Sequence, residues 1–151
     1  RGIVTLEERV KLHEGFVPKI YLDSLSKKTI GWGHLITPDD HFKEGVEYSK
    51  EELEDVFQKD LKRAMDDADD LINNCPSGKK AEIAEKAREV IIEMVYQLGK
   101  TGVSKFKNMW SALQESPPNY FEAHVQMLDT RWYKQTPNRC GELSETMKSC
   151  S

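Results

Sequence analysis

Residues 13–35 read HEGFVPKIYLDSLSKKTIGWGHL, and this stretch decides the fold of the N-terminal part of the chain. Upstream of it, Thr5 and Glu8 have the spacing of a capping box, which predicts that a helix begins near Leu6. Apolar residues recur at helical spacing from there, and the glycine that follows Glu14 is a natural helix stop. The quoted stretch therefore begins at a helix end that carries a carboxyl group.

Beyond that helix the same stretch has the pattern of an antiparallel hairpin. Residues 19–23 indicate a strand, residues 24–28 a turn, and residues 29–33 the returning strand. The next segment, residues 37–48, is predicted to be a loop or a short third strand. In this arrangement Asp23 closes the first strand of the hairpin.

The rest of the chain is predicted to be helical. A second capping box, formed by Ser49 and Glu52, opens a long helix that the polar cluster at 73–78 ends. Its apolar stripe consists of Leu53, Phe57, Leu61, Ala64, Ala68 and Leu71. Further helices are predicted at about 79–98, 104–115 and 120–129, with a weakly helical piece near 138–149.

These elements predict an α+β fold that is mostly helical and two-lobed, with a small antiparallel β-sheet in the N-terminal lobe. The hairpin lobe covers about residues 13–48, a connecting helix about 50–72, and the helical lobe about 79–151. Together they are expected to form a single domain of residues 1–151, because this length suits one domain.

Charge is unevenly distributed along the chain. The net charge is −4, and residues 39–70 carry thirteen acids against five bases, whereas residues 97–139 carry six bases and three acids. Binding to nucleic acid needs clustered Lys and Arg, so this distribution argues against a nucleic-acid partner. No apolar run approaches the ~20 residues that a membrane span requires, so membrane insertion is not expected.

Three cysteines, Cys75, Cys140 and Cys150, allow at most one internal disulfide, with three possible pairings. We favour one bridge in an extracellular protein, and the alternative is three thiols in a reducing compartment. The chain begins at Arg1 rather than Met, which suggests that a signal peptide, a propeptide or a tag was removed upstream. Neither the cysteines nor the four histidines have the spacing of a metal site.

Glu14 and Asp23 are predicted to differ in protonation. Glu14 shares a helix face with apolar residues and lies in the last helical turn, where burial and the macrodipole both favour the protonated acid. Asp23 lies beside Ser24 and a lysine pair, which favour the ionised form. Two carboxyl groups in opposite states match the division of labour in glycoside hydrolysis. By spacing alone this signal is weak, because an aspartate before a turn is usually a turn former.

Three blocks of the sequence resemble phage-type lysozymes, the glycoside hydrolase family of the T-even phages. The first is the quoted stretch, with Glu-Gly, a strand ending in Tyr-x-Asp, and Thr-Ile-Gly-x-Gly-His-Leu. The second is MVYQLGKTGVSKF at 94–106, and the third is RWYKQTPNR at 131–139. The blocks follow the family's order. The resemblance implies hydrolysis of the β-1,4 bond between N-acetylmuramic acid and N-acetylglucosamine in peptidoglycan.

The resemblance also implies which residues act. Glu14 matches the general acid, Asp23 the second carboxylate, and Thr29 the threonine that helps to hold a water on the far side of the sugar. Substrate contacts are implied for Leu35, Tyr96, Gln97, Met109, Gln126 and Arg139, with Arg139 expected close to Glu14. Three of these contacts depart from the usual residue: Tyr96 (usually Phe), Met109 (which can be Ser) and Gln126 (which can be Asn). No metal or other cofactor is implied.

Two rival functions remain open, a lytic transglycosylase and a non-catalytic wall-glycan binder on the same scaffold. The set Glu14, Asp23 and Thr29 argues against both, because a transglycosylase needs no residue to hold a water and a binder needs no acid pair. The expected partner is the peptidoglycan glycan strand, and the expected state is a monomer. The acidic charge, the cysteines and the short C-terminal part differ from what is usual in the phage enzymes. These differences favour a secreted enzyme of a cellular organism over a phage endolysin in the host cytoplasm.

Overall fold

The computed structural model of the protein describes residues 4–74 and 79–151. It confirms the predicted class, an α+β fold that is mostly helical and has a small antiparallel sheet. The chain divides into two compact units, of which the first ends at Arg63 and the second begins at Ala64. The single domain of residues 1–151 stays a prediction. Among the described residues, no helix combines the length and the apolar character that crossing a membrane requires.

Helix α1 spans Leu6–Glu14, and both of its predicted ends are confirmed. The backbone N–H of Glu8 donates to Oγ1 of Thr5 at 3.2 Å, and the backbone N–H of Thr5 donates to Oε1 of Glu8 at 3.0 Å. This reciprocal pair satisfies two donors that the first turn of a helix leaves open. Gly15 ends the helix with a φ of 71°, a conformation that glycine adopts without strain.

Three strands form one antiparallel sheet in the order β1 (Val17–Leu22), β2 (Lys28–Gly31) and β3 (His34–Leu35). Tyr21 pairs with Thr29 across β1 and β2, and Thr29 pairs with Leu35 across β2 and β3. The predicted hairpin is therefore present. The third strand lies at 34–35 rather than in 37–48, where the chain forms a loop.

Helix α2 spans Lys50–Asn73 and begins with the predicted capping box. The backbone N–H of Glu52 donates to Oγ of Ser49 at 3.0 Å, and the backbone N–H of Ser49 donates to Oε1 of Glu52 at 2.9 Å. All six residues of the predicted apolar stripe are buried. In the first unit the sheet packs on this stripe, since a Cβ at Gly31 would lie 3.4 Å from Cδ1 of Leu53. Of the cluster predicted to end this helix, residues 75–78 lie outside the described residues.

The second unit contains, after the end of α2, the helices α3 (Glu85–Ser104), α4 (Lys107–Leu113), α5 (Tyr120–Leu128), α6 (Arg131–Gln135) and α7 (Pro137–Lys148). The predicted start of α3 near residue 79 is wrong, because the backbone N–H of Ala81 bonds the carbonyl of Ile72 and the chain stays irregular up to α3. The predicted stop at Gly99 is a kink with a φ of 82°, after which the helix continues.

The short helix α6 was not predicted from the sequence. Thr130 caps it by accepting a hydrogen bond from the backbone N–H of Tyr133 at 3.1 Å. Trp132 on this helix and Trp110 on α4 are both buried in the core of the second unit. The Nε1–H of Trp110 donates to the carbonyl of Val103 at 3.0 Å, which joins α4 to the end of α3.

Candidate active site

The carboxyl group of Glu14 lies at the end of α1, against the turn between β2 and β3. Gly33 forms this turn with a φ of +74°, and a Cβ on Gly33 would collide with Oε1 of Glu14 and lie 3.1 Å from its Cδ. Only glycine combines this backbone conformation with room for the carboxyl group. Glu14 is half-buried, as the apolar face of its helix predicted.

Lys11, one turn before Glu14, fixes the end of α1 within the first unit. Its Nζ donates to Oε1 of Glu54 on α2 at 2.6 Å. The same ammonium lies 4.4 Å from the ring centre of Trp32 and 4.8 Å from that of Phe57. A cation on aromatic faces adds about 0.5–1 kcal/mol to such an anchor. These contacts give the carboxyl group of Glu14 a defined place beside the sheet.

Asp23 follows β1 and organises the hairpin turn. Its Oδ1 accepts hydrogen bonds from the backbone N–H groups of Leu25 at 2.8 Å and Lys27 at 2.9 Å. This explains why the strand ends at Leu22, one residue earlier than predicted. Lys28, one of the two lysines expected beside Asp23, instead pairs with Glu44 at 2.8 Å. The turn-forming role and a chemical role are compatible, because the two N–H donors fix the direction of the carboxylate.

Thr29 lies on the central strand with 4% of its surface exposed. Its hydroxyl donates to the carbonyl of Lys27 at 3.0 Å. Because that bond uses the only hydroxyl proton, Oγ1 can interact with a further polar group only as an acceptor. Its pairing with Tyr21 and Leu35 places three side chains in one row across the sheet.

Tyr21 lies near both acids, Glu14 and Asp23. The pKa of its phenol is raised above the usual 10.0, first by burial and then by the negative charges of Glu14 and Asp23. Both carboxyl groups are therefore close enough to Tyr21 for their charges to act on its hydroxyl. Since Tyr21 also pairs with Thr29, the structure gathers the three residues predicted to act in catalysis around one position of the hairpin.

His34 ties β3 to α2 in the first unit. Its Nδ1 lies 2.7 Å from Oδ2 of Asp60, and its Nε2 lies 2.9 Å from Oδ2 of Asp40. Burial by itself lowers the pKa of His34, but hydrogen bonds to Asp60 and Asp40 and their charges outweigh it and raise the pKa above 6.5. The backbone of the Gly33 turn is therefore held by a histidine between two carboxylates.

The predicted substrate contacts of the second unit fall into two groups. Met109 and Gln126 line one small pocket of about 130 Å³ between α4 and α5. Met109 is only 1% exposed, so it presents little surface there, and the amide of Gln126 donates to Oε2 of Glu122 at 2.6 Å. Their contact with substrate stays a prediction.

The other group lies where α3 meets α6 and α7. Gln97 accepts a hydrogen bond from Nε1 of Trp132 at 3.0 Å and donates to Oγ1 of Thr136 at 3.2 Å. Arg139, on α7, is an ion-pair partner of Glu93. Tyr96 is half-buried on α3, next to Gln97. Leu35, in the first unit, is 47% exposed on β3.

Comparison with known families identifies the family of the chain. The model of the phage lysozyme family matches residues 11–144, which include every residue of the predicted site. The chain belongs to the phage lysozyme family. It is therefore a lysozyme by family, and Glu14 of α1 and the hairpin residues Asp23 and Thr29 lie inside the matched region.

Relatives of this lysozyme occur both in a cellular organism and in phages. "Probable T4-type lysozyme 2" of Dictyostelium discoideum is 28% identical, over 93% of this chain and 92% of that protein. "Probable T4-type lysozyme 1" of the same organism is 26% identical, over 97% and 95%. "Peptidoglycan hydrolase gp36" of Pseudomonas phage phiKMV is 27% identical, over 79% of this chain but only 12% of that protein.

Three residues of this lysozyme were missed by the reasoning from sequence. Gly33 and Tyr21 both lie in the quoted stretch, and the Gly-x-Gly spacing could have indicated the close approach at Gly33. Glu93 carried a weaker signal, since it is an acid inside the widest apolar face of the chain. Each of them lies close to a predicted site residue: Gly33 to Glu14, Tyr21 to both acids, and Glu93 to Arg139.

Within residues 4–74 and 79–151, no group of three or more His, Cys, Asp or Glu side chains could hold a metal ion. The two described cysteines of this lysozyme, Cys140 and Cys150, are free thiols, so they do not form the possible bridge with each other. Burial raises the pKa of the Cys140 thiol to about 12, which makes it unreactive. Cys75 lies outside the described residues.

Proposed function

We propose that this lysozyme hydrolyses the β-1,4 bond between N-acetylmuramic acid and N-acetylglucosamine in peptidoglycan, with a water as nucleophile and inversion at the sugar. Cleavage of peptidoglycan follows from the family and from the phage relative named as a peptidoglycan hydrolase. The bond and the mechanism are supported by the chemistry of the hairpin. The observation that carries the proposal is the cross-strand pair of Tyr21 with Thr29, together with the charges of both acids that raise the pKa of Tyr21.

Glu14 is assigned the role of general acid. It protonates the glycosidic oxygen as the bond to the sugar breaks, and its place at the end of α1 against Gly33 keeps the carboxyl group in one position. The helix end supports this role, because the negative end of the macrodipole disfavours a second negative charge there. General acid catalysis typically contributes 10²–10⁴-fold to the rate.

Asp23 and Thr29 are assigned to the attacking water. Because the hydroxyl of Thr29 donates to Lys27, its oxygen accepts a proton of the water, while Asp23 accepts the other and removes it as the water attacks. A water held by two acceptors directs a lone pair away from both, toward the sugar. This division leaves Asp23 as a base rather than a nucleophile, which is the inverting arrangement.

The substrate-binding roles of Leu35, Tyr96, Gln97, Met109, Gln126 and Arg139 are part of this proposal. No cofactor is required, because both the acid and the base are side chains. A monomer, and secretion from a cellular organism rather than action as a phage endolysin in the host cytoplasm, also stay predictions.

Product analysis tests the proposal. Purified protein is incubated with bacterial walls, the loss of turbidity is followed, and the released fragments are weighed by mass spectrometry. Reducing ends support hydrolysis, anhydro ends would make the protein a lytic transglycosylase, and no clearing would leave a wall-glycan binder. NMR of the nascent reducing sugar then decides the stereochemistry: the α-anomer first is expected, and the β-anomer first would make Asp23 a nucleophile.

A further inference from the structure

Glu93 is a completely buried acid in the middle of α3, with 0% of its surface exposed. Its neighbours Ile92 and Met94 are buried to the same extent. An ionised carboxylate in such surroundings costs several kcal/mol unless a cation lies close to it. A buried acid at this position therefore needs a specific partner.

That partner is Arg139, in the first turn of α7. Its Nη2 lies 3.8 Å from Oε2 of Glu93, and the two side chains are 10% and 0% exposed. The surface pair Lys28–Glu44 is different, because both of its side chains are more than half exposed, at 59% and 62%. Exposed pairs contribute little, whereas a buried pair restricts where the guanidinium can lie.

Gln97, one turn after Glu93 on the same face of α3, fixes the backbone from which Arg139 projects. Its amide donates to Oγ1 of Thr136 at 3.2 Å, and its carbonyl oxygen accepts from Nε1 of Trp132 at 3.0 Å. Thr136 directly precedes α7. Helix α3 thus holds the start of α7 through Gln97 and the side chain of Arg139 through Glu93.

Stability alone gives no reason for a charged pair at this place. Buried ion pairs can often be replaced by apolar residues of similar volume without loss of stability. A carboxylate 3.8 Å away attracts the guanidinium and limits where it lies, although this distance is longer than a hydrogen bond. The planar array of N–H donors of the guanidinium recognises oxygen acceptors by direction. Orientation is of use when the arginine binds a ligand.

We propose that Glu93 is a positioning residue that orients the guanidinium of Arg139 for binding to the acceptor oxygens of the glycan strand. This inference rests on the proposed function, which makes Arg139 a substrate-binding residue. Glu93 does not touch the substrate. It acts by limiting the positions that the Arg139 side chain adopts before the substrate arrives.

The kinetic test compares Glu93→Gln with Glu115→Gln on soluble fragments of peptidoglycan glycan. Both changes remove one negative charge from the second unit, but Glu115 is exposed. Glu93→Gln is expected to lower kcat/KM roughly 10–100-fold, mainly by raising KM, since a misplaced binding group costs up to ~10²-fold. Glu115→Gln should stay within about twofold of the wild type.

A double variant, Glu93→Met with Arg139→Met, separates loss of stability from loss of substrate binding. Removal of both charges should restore the melting temperature that Glu93→Gln loses, because no uncompensated charge remains. It should not restore kcat/KM. Recovery of both quantities in the double variant would show a purely structural pair and overturn the proposal.

A spectroscopic arm tests orientation without substrate. In the wild type the Nε–H signal of Arg139, assigned by its absence in Arg139→Lys, should be resolved and slow to exchange with water. In Glu93→Gln it should move to the averaged position of a mobile arginine. An unchanged signal in Glu93→Gln overturns the proposal, as does a signal that moves while kcat/KM stays unchanged. Absence of reducing ends in the wild type would instead refute the proposed function, and the signal would still decide whether Glu93 orients Arg139.

Discussion

Asp23 in the first unit and Gln97 in the second unit are held in different ways. In the first unit the turn itself holds Asp23, whose Oδ1 takes N–H groups from two and four residues away. In the second unit the partners of Gln97 are distant along the chain, since Gln97 and Trp132 are 35 residues apart. Backbone groups of the same turn hold Asp23, whereas side chains 35 and 39 residues away hold Gln97. Changes at the acids of the first unit should therefore appear mainly in the rate, and changes at the contacts of Gln97 in stability and substrate binding.

The strongest test of this contrast is Glu14→Gln. The amide cannot donate a proton to the leaving oxygen, so kcat should fall about 10²–10⁴-fold. Because the change is isosteric and lies at a helix end, the melting temperature should stay nearly constant. Activity on bacterial walls and thermal unfolding are measured side by side.

Glu7→Gln is the matched control, because it makes the same change in the exposed first turn of the same helix. It should keep wild-type activity. A folded Glu14→Gln protein that still clears walls at the wild-type rate would refute the assignment of the general acid.

Gly33→Ala should give the second largest loss. The new methyl group would meet the carboxyl group of Glu14, so the acid must move, and a displacement near 1 Å can cost about 10²-fold. Stability should also fall by about 1 kcal/mol, because alanine is strained at a φ of +74°.

Gly45→Ala separates these two effects. Gly45 has nearly the same backbone angle, a φ of +77°, but no heavy atom within 4 Å of the added Cβ. The two variants should lose similar stability, and only Gly33→Ala should lose activity. Equal activity in both would show that Gly33 does not shape the position of Glu14.

The contrast between neighbouring and distant partners also explains what the sequence could predict. Local sequence patterns determine the capping boxes, the apolar stripe on α2 and the hairpin, so their positions could be predicted from the spacing of residues. The turn role of Asp23, the usual role of such an aspartate, is present in the structure, and the acid pair stays a prediction. The predicted site residues themselves came from resemblance to a family more than from chemistry.

Partners that are distant along the chain could not be predicted. Nothing in the spacing indicates that His34 meets Asp60, 26 residues later, or that Glu93 meets Arg139. The predicted start of α3 was wrong for a related reason. Residues 79–84 have an apolar pattern compatible with a helix, but the backbone N–H of Ala81 bonds the carbonyl of Ile72 instead. Tertiary hydrogen bonds override local preference at such places.

Gln97→Met should affect the second unit through stability. The change leaves Nε1 of Trp132 without its acceptor and the hydroxyl of Thr136 without its donor. A buried polar group that loses its partner costs about 1–3 kcal/mol, so urea unfolding should show a loss in that range. Gln135→Met, on the exposed surface of α6, should change stability by less than about 0.5 kcal/mol. Equal effects would show that the Gln97 contacts do not stabilise the unit.

The smallest effect is expected from the titration of His34. A neutral imidazole has only one N–H donor, but both nitrogens of His34 face carboxylates, so the arrangement requires the charged ring. The raised pKa of His34 stabilises the fold fully below the unfolded value of 6.5, and that stability is lost as the pH rises through the folded value. Burial raises the pKa of Asp40, but hydrogen bonds from Thr37 and His34 outweigh it and hold the pKa below 3.8. The stability from Asp40 is therefore present above 3.8 and lost as the pH falls through the folded value.

His34 and Asp40 should thus stabilise the first unit most between about pH 4 and pH 6.5. Above that window the wild type should lose about 1–2 kcal/mol of its unfolding free energy as the ring loses its charge. His34→Gln keeps one donor and cannot titrate, so its unfolding free energy should be lower inside the window and flat across the upper edge. His41→Gln, at an exposed histidine seven residues later, should follow the wild-type curve. Urea unfolding at a series of pH values decides the matter: a wild-type curve parallel to that of His34→Gln would mean that folding does not change the pKa of the ring. The charge of His34 would then contribute nothing to the contacts that hold the Gly33 turn.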